Sequence, residues 1–125
     1  MTREIKFRGK TKVGNEWIYG TTISQGTIKR KANMWYMEVA ENKWTGLQPG
    51  SLGQYTGLKD RNGDEIYEGD ILERGELSGK GKVYFSDGTF KVDFKGYAYS
   101  LDFVVSDYFP EIVGNIYDNP KLIDE

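Results

Sequence analysis

Two groups of residues in this 125-residue chain have types and spacing that could do chemistry. The first is acidic: Asp60, Asn62, Asp64, Glu65, Glu68 and Asp70 fall within one short stretch, as calcium ligands or a pair of catalytic carboxylates would. An EF-hand loop counted from Asp60 needs Gly at its sixth place and a bidentate Glu at its twelfth, and finds Glu65 and Ile71 there. A glycosidase-type pair needs two carboxyl groups roughly 5 to 10 Å apart across a cleft, and nothing in this spacing selects such a pair. A solvated acidic hairpin is the expected reading, with Asp60 accepting at the first turn position and Asp70 bonding the loop backbone at a strand start.

The second group is basic. Lys6, Arg8, Lys10 and Lys12 alternate along one strand-like segment, joined in sequence by Lys29-Arg30-Lys31, and would be the residues to contact phosphate. The chain as a whole argues against a dedicated nucleic-acid binder, because its net charge is −2 and its pI is near 5.3. Lysines on the wet face of an edge strand, guarding it against aggregation, are the commoner cause of such a stripe.

What is absent narrows the chemistry further. With no Cys there is no thiolate nucleophile, disulfide or thiolate metal site, and with no His the usual neutral-pH base and metal ligand are missing. Catalysis would have to use carboxylates, Lys, Tyr or hydroxyls, and no cofactor or metal is expected. No apolar run approaches the roughly 20 residues of a spanning helix. The Met1-Thr2-Arg3-Glu4 start lacks a signal-peptide core, so a cytoplasmic protein is expected.

The elements that must position these groups read as strands. Sixteen Gly and eighteen aromatics, with turn signals about every ten residues, predict short antiparallel strands and little helix. Asp60-Arg61-Asn62-Gly63 predicts a hairpin with a three-residue loop in which Gly63 takes positive φ. Asp87-Gly88 predicts a two-residue type I′ loop that sets Phe85 against Phe90, Val83 against Val92 and Lys82 against Asp93 as an ion pair. At Gly14-Asn15 a two-residue loop would make a basic face studded with aromatics. A three-residue loop would set Val13 against Trp17 and leave Lys6 to Lys12 wet, and burial favours the second. Another strand pair is expected over 27–41 around Lys31-Ala32-Asn33, with Met34 to Met37 buried, and a connector over 48–53. Arg74 to Gly79 reads as a loop, 101–108 as either strand or helical turn, and 111–117 as a strand. Asn119-Pro120 predicts an N-cap and a short terminal helix over 120–124. The expectation is an all-β or mainly β single domain, its N-terminal hairpins over 1–52. Residues 53–125 would hold the central hairpin and an SH3-like barrel or sandwich core over Gly69 to Tyr117.

A set of blocks in order carries a resemblance: Arg3-Glu4-Ile5-Lys6-Phe7-Arg8-Gly9-Lys10, Trp17-Ile18-Tyr19-Gly20, Gly53-Gln54-Tyr55-Thr56-Gly57-Leu58, Asn62-Gly63, Ile66-Tyr67-Glu68-Gly69-Asp70-Ile71 and Val113-Gly114-Asn115-Ile116-Tyr117-Asp118-Asn119-Pro120. In these the chain resembles the YopX family of small phage and prophage proteins of Gram-positive bacteria, whereas 21–52 and 75–109 match little. The resemblance implies a compact, mainly β protein of viral origin acting in the host cytoplasm, and it implies no catalytic residues. Trp35, Tyr36, Trp44, Tyr97 and Tyr99 are expected in the core or at an interface. The sequence therefore favours a non-catalytic module that binds a host or phage protein, as a homo-oligomer if unpaired edges meet. The alternatives are an accessory nucleic-acid binder using Lys6, Arg8, Lys10 and Lys12, and a carboxylate hydrolase.

Overall fold

A computed structural model of the protein describes residues 4–26, 34–73 and 79–123. The chain forms two compact units, residues 1–55 and 56–125. It is mainly β, with antiparallel sheets and, among the described residues, one short α-helix.

The first unit holds β1 (Phe7–Lys10), β2 (Trp17–Gly20), β3 (Ile23–Gly26), β4 (Met34–Ala40) and β5 (Lys43–Gly46), and the start of β6 (Gly53–Lys59). The β1–β2 turn follows neither register expected from the sequence. Arg8 lies opposite Tyr19 and Lys10 opposite Trp17, so the loop spans the four residues 12–15. Thr11 closes it twice: its N–H donates to Glu16 O at 2.8 Å, and its hydroxyl accepts from Glu16 N at 2.9 Å. Gly14 and Asn15 supply the positive φ the loop needs. Val13, expected in the core, is therefore at an exposed tip. The slot behind β1 is filled by Leu47 instead, which sits so close to Gly9 that a Cβ there would lie 2.6 Å from Leu47 Cδ1. Two strands follow the loop, β2 and β3, with a break at 21–22.

β3, β4 and β5 form a three-stranded sheet. Met37 is fully buried, as the apolar run predicted, and the connector over 48–53 turns at Gly50 with Ser51 N donating to Gln48 O. The turn expected around Lys31-Ala32-Asn33 lies outside the described residues, as does most of the loop expected over 74–79. β5 has no counterpart in the sequence reading; its turn is made by Asn42 at φ 56°, with Glu38 Oε2 accepting from Asn42 N.

The second unit holds the end of β6, β7 (Glu65–Tyr67), β8 (Asp70–Glu73), β9 (Lys80–Ser86), β10 (Thr89–Phe94), β11 (Tyr97–Ser100), α1 (Leu101–Tyr108), β12 (Glu111–Asn115) and a 3₁₀ turn at Pro120–Leu122. Five strands make a sheet in the order β11-β10-β9-β8-β12. Of the expected barrel or sandwich, no closed barrel forms: among the described residues the sheet stays open, ending at β11 and β12. Its inner face is covered by α1, whose Leu101 and Val104 are buried with Ile66, Leu72, Val83, Phe90, Val92 and Phe94. Ser100 caps that helix by accepting from Phe103 N, which resolves 101–108 as helix.

The β9–β10 hairpin has the expected register and the expected type I′ loop, Asp87 and Gly88 both at positive φ. The expected Lys82–Asp93 ion pair is not made; Asp93 Oδ1 accepts from Gly96 N at 2.8 Å instead. The central hairpin closes over Arg61-Asn62-Gly63 as expected, with Asp60 N donating to Asp64 O. Of the short helix expected over 120–124, the described residues form a 3₁₀ turn at Pro120–Leu122, and the Asn119 side chain does not cap it. Asn119 Oδ1 accepts from Asn115 N, because Asn115 itself folds this stretch, its Oδ1 taking the amides of Tyr117 and Asp118. Gly114 leaves room for the returning chain: a Cβ there would lie 2.6 Å from Asn119 Oδ1 and 3.0 Å from Leu122 Cδ1.

Candidate functional site

The acidic stretch turns out to be structural wiring. Asp60 is 7% exposed, and its carboxylate gathers three backbone amides. Oδ1 accepts from Asn62 N and Asp64 N, both at 2.9 Å, and Oδ2 accepts from Ile112 N at 3.0 Å. The hairpin tip is thereby tied to β12, 52 residues away. A surface ion pair adds to the tie: Arg61 Nη2 lies 2.7 Å from Glu111 Oε1, and Asn62 Nδ2 donates to Glu111 Oε2. The hydrogen bond from Arg61 and that from Asn62 hold the Glu111 carboxyl below the usual carboxylate range. Buried Asp70 accepts from Tyr67 N at 2.7 Å, as expected at the strand start.

The basic stripe is divided. Arg8 and Lys10 share one face of β1, with Lys6 just before the strand, and the observed register puts Trp17 and Tyr19 on that face with them. Arg8 is buried, its Cζ 4.9 Å from the Trp17 ring centroid, and Lys10 Nζ is 5.7 Å from the same centroid. Lys6 Nζ is 3.6 Å from Glu4 Oε2 and 5.2 Å from the Tyr55 ring. Lys12 stands apart in the exposed loop, and Lys29-Arg30-Lys31 lie outside the described residues.

Tyr97 and Tyr99, expected in the core or at an interface, lie at the β11 end of the sheet, on a strand that was not expected and beside Phe103, which the sequence did not single out. Lys95 and Gly96, at φ 53° and 91°, form a two-residue loop that returns the chain as β11. In such a hairpin the ladder alternation directs the Tyr97 and Tyr99 backbone at β10 and leaves the Ala98 N–H and C=O facing outward. Along this edge runs a chain of rings. Tyr99 packs edge-on against Phe94 at 6.0 Å, Phe103 stacks on Tyr99 at 6.4 Å, and Tyr108 meets Phe103 edge-on at 5.7 Å. Phe94 is core, but Tyr97 is 70% exposed and Phe103 42%. Trp44, also expected inside or at an interface, is largely exposed in the first unit. The opposite edge differs: β12 is covered by the hairpin tip, through Asp60 to Ile112 N and Arg61 N to Pro110 O. A signal for β11 existed in the alternating Tyr97-Ala98-Tyr99 after a Lys-Gly turn.

Comparison with known proteins agrees with this fold. The sequence model of a family described as YopX protein matches residues 6–124. The crystal structure of protein EF1440 from Enterococcus faecalis aligns with a TM-score of 0.63 at 20% identity, covering 98% of this chain and 99% of that one. No curated protein matches. Among the described residues no helix is long and apolar enough to cross a membrane.

Proposed function

We propose a protein-interaction role, starting from the premise that this chain belongs to the YopX family. The chain is a non-catalytic module of phage or prophage origin, working in the host cytoplasm, that takes an extended segment of a host or phage protein onto β11. The observation that supports this reading is the pairing of an open strand edge with exposed rings, Tyr97 and Phe103. An added strand would gain main-chain hydrogen bonds at Ala98 and apolar contacts from the rings beside it. Aromatic residues are the types that carry binding energy at such surfaces. The Lys6-to-Lys12 stripe supports nucleic-acid binding less well, since Arg8 is buried and Lys6 is paired with Glu4.

Affinity capture from host lysate, with and without phage infection, tests this when wild type is compared with a Tyr97→Ser/Phe103→Ser variant. A protein retained by wild type and lost with the variant is the expected result. Identical capture by both would refute the β11 assignment. Light scattering separates the homo-oligomer form of the idea: a concentration-dependent dimer lost in the variant would make a second copy the occupant.

A further inference from the structure

A second feature lies on the outer face of the five-stranded sheet. The turn built by Asn115 and Asn119 carries the chain back so that Leu122 packs over Gly114. Leu122 and Ile123 then wall one side of a cleft of about 320 Å³. Its other walls are Lys80 and Lys82 from β9, Asp93 from β10 and Lys95 from the β10–β11 loop. The volume is at the lower end of the range for small-molecule sites, roughly 300 to 1,000 Å³.

The charges in the cleft do not cancel. Lys80 Nζ is 3.5 Å from Glu73 Oε2, and Asp93 is held by the Gly96 amide. Lys82 and Lys95 form no ion pair among the described residues, although Asp93 lies directly across the ladder from Lys82. Lys95 is held toward the cleft: its stem passes over Gly79, where a Cβ would come within 3.2 Å of Lys95 Cε. Two lysines lining one cleft beside an apolar wall suit a ligand with an anionic end and an apolar body. Lys binds phosphate as a point charge and needs no rigid fork to do so.

We propose that this cleft binds a small organic phosphate, with Lys82 and Lys95 on the phosphate and Leu122 and Ile123 against the body of the molecule. The site is independent of the β11 edge, so either assignment can fail alone.

Calorimetric titration at low salt with adenosine monophosphate, inorganic phosphate and octanoate tests it, accompanied by amide chemical shifts. Saturable binding of adenosine monophosphate is expected, with shifts at Lys82, Lys95 and Ile123. Inorganic phosphate should bind more weakly, and Lys82→Gln and Lys95→Asn should each weaken nucleotide binding about five- to tenfold. Lys91→Gln, a lysine of the same sheet outside the cleft, should change nothing. Should Lys82→Gln fail to fold, Lys95→Asn decides alone, since Asn accepts the positive φ of that loop. Absence of saturable binding at millimolar concentration, equal binding by Lys95→Asn and wild type, or binding of octanoate without binding of phosphate would each overturn the proposal.

Discussion

Replacing Asp60 with Ala removes one carboxylate and leaves three amides to find new partners. Hydrogen bonds to a charged group contribute about 1.5–3 kcal/mol each, and a buried donor left without one costs about 1–3 kcal/mol. The Asn62 and Asp64 amides lie at an exposed turn, where water can take over from Oδ1, so each weighs near the low end. The Ile112 amide lies in β12, and its bond is the one that joins elements far apart in sequence. Taking about 1 kcal/mol for each of the three donors as a floor, the sum is about 3 kcal/mol for Asp60→Ala. Asp60→Asn keeps an acceptor for the two turn amides but turns an amide group toward Ile112 N–H, and should cost about half as much. With a urea slope of about 1.5 kcal/mol per molar, the Ala variant should unfold about 2 M earlier. All three Trp residues, 17, 35 and 44, lie in the first unit, so tryptophan fluorescence is the wrong probe. Amide NMR signals of Val92 and Ile112 through the titration report the second unit directly. A midpoint shift below about 0.5 M, less than about 1 kcal/mol at that slope, would refute the claim that Asp60 holds the hairpin to β12.

Leu101→Ala, which empties a fully buried position at the start of α1, should lower stability by about 2–5 kcal/mol in the same titration. Gly114→Ala should cost about 1–3 kcal/mol and shift the amide signals of Asn115 and Asn119, because its methyl group meets the Asn119 side chain. The Arg61–Glu111 link depends on pH with a definite sign. Its glutamate has a folded pKa below the ordinary value of 4.5, so its contribution is present above that value and is lost as pH falls through the lower one. Stability measured against pH should therefore fall less steeply on acidification in Glu111→Gln than in wild type.

The parts of this fold legible in the sequence are those closed by local chemistry. Asp60 to Gly63, Asp87-Gly88 and the Gly69-Asp70 strand start each contain the side chain or the positive-φ residue that makes the turn, so the reading follows from a few adjacent residues. Where a distant residue decides, the sequence misleads. The β1–β2 register is set by the Thr11 hydroxyl and by Leu47 filling the space at Gly9, and no local pattern in 9–17 announces Leu47. The helix α1 is short and carries Val104 and Val105, which favour strands; its Ser100 cap and its packing on the sheet override that preference. The candidate surfaces were hidden for the same reason. β11 lies beyond a Lys-Gly loop in which Lys95 must take a left-handed conformation, and the phosphate cleft exists only because Asn115 and Asn119 fold Leu122 and Ile123 back onto the sheet.

Hydrogen exchange on the captured complex tests the interaction role most directly, read at the Ala98 amide against the Val83 amide in the middle of the sheet. If a partner strand pairs with β11, Ala98 exchange slows by orders of magnitude on binding while Val83, already buried, changes little. An Ala98 amide that exchanges equally fast in the free protein and the complex would contradict the account.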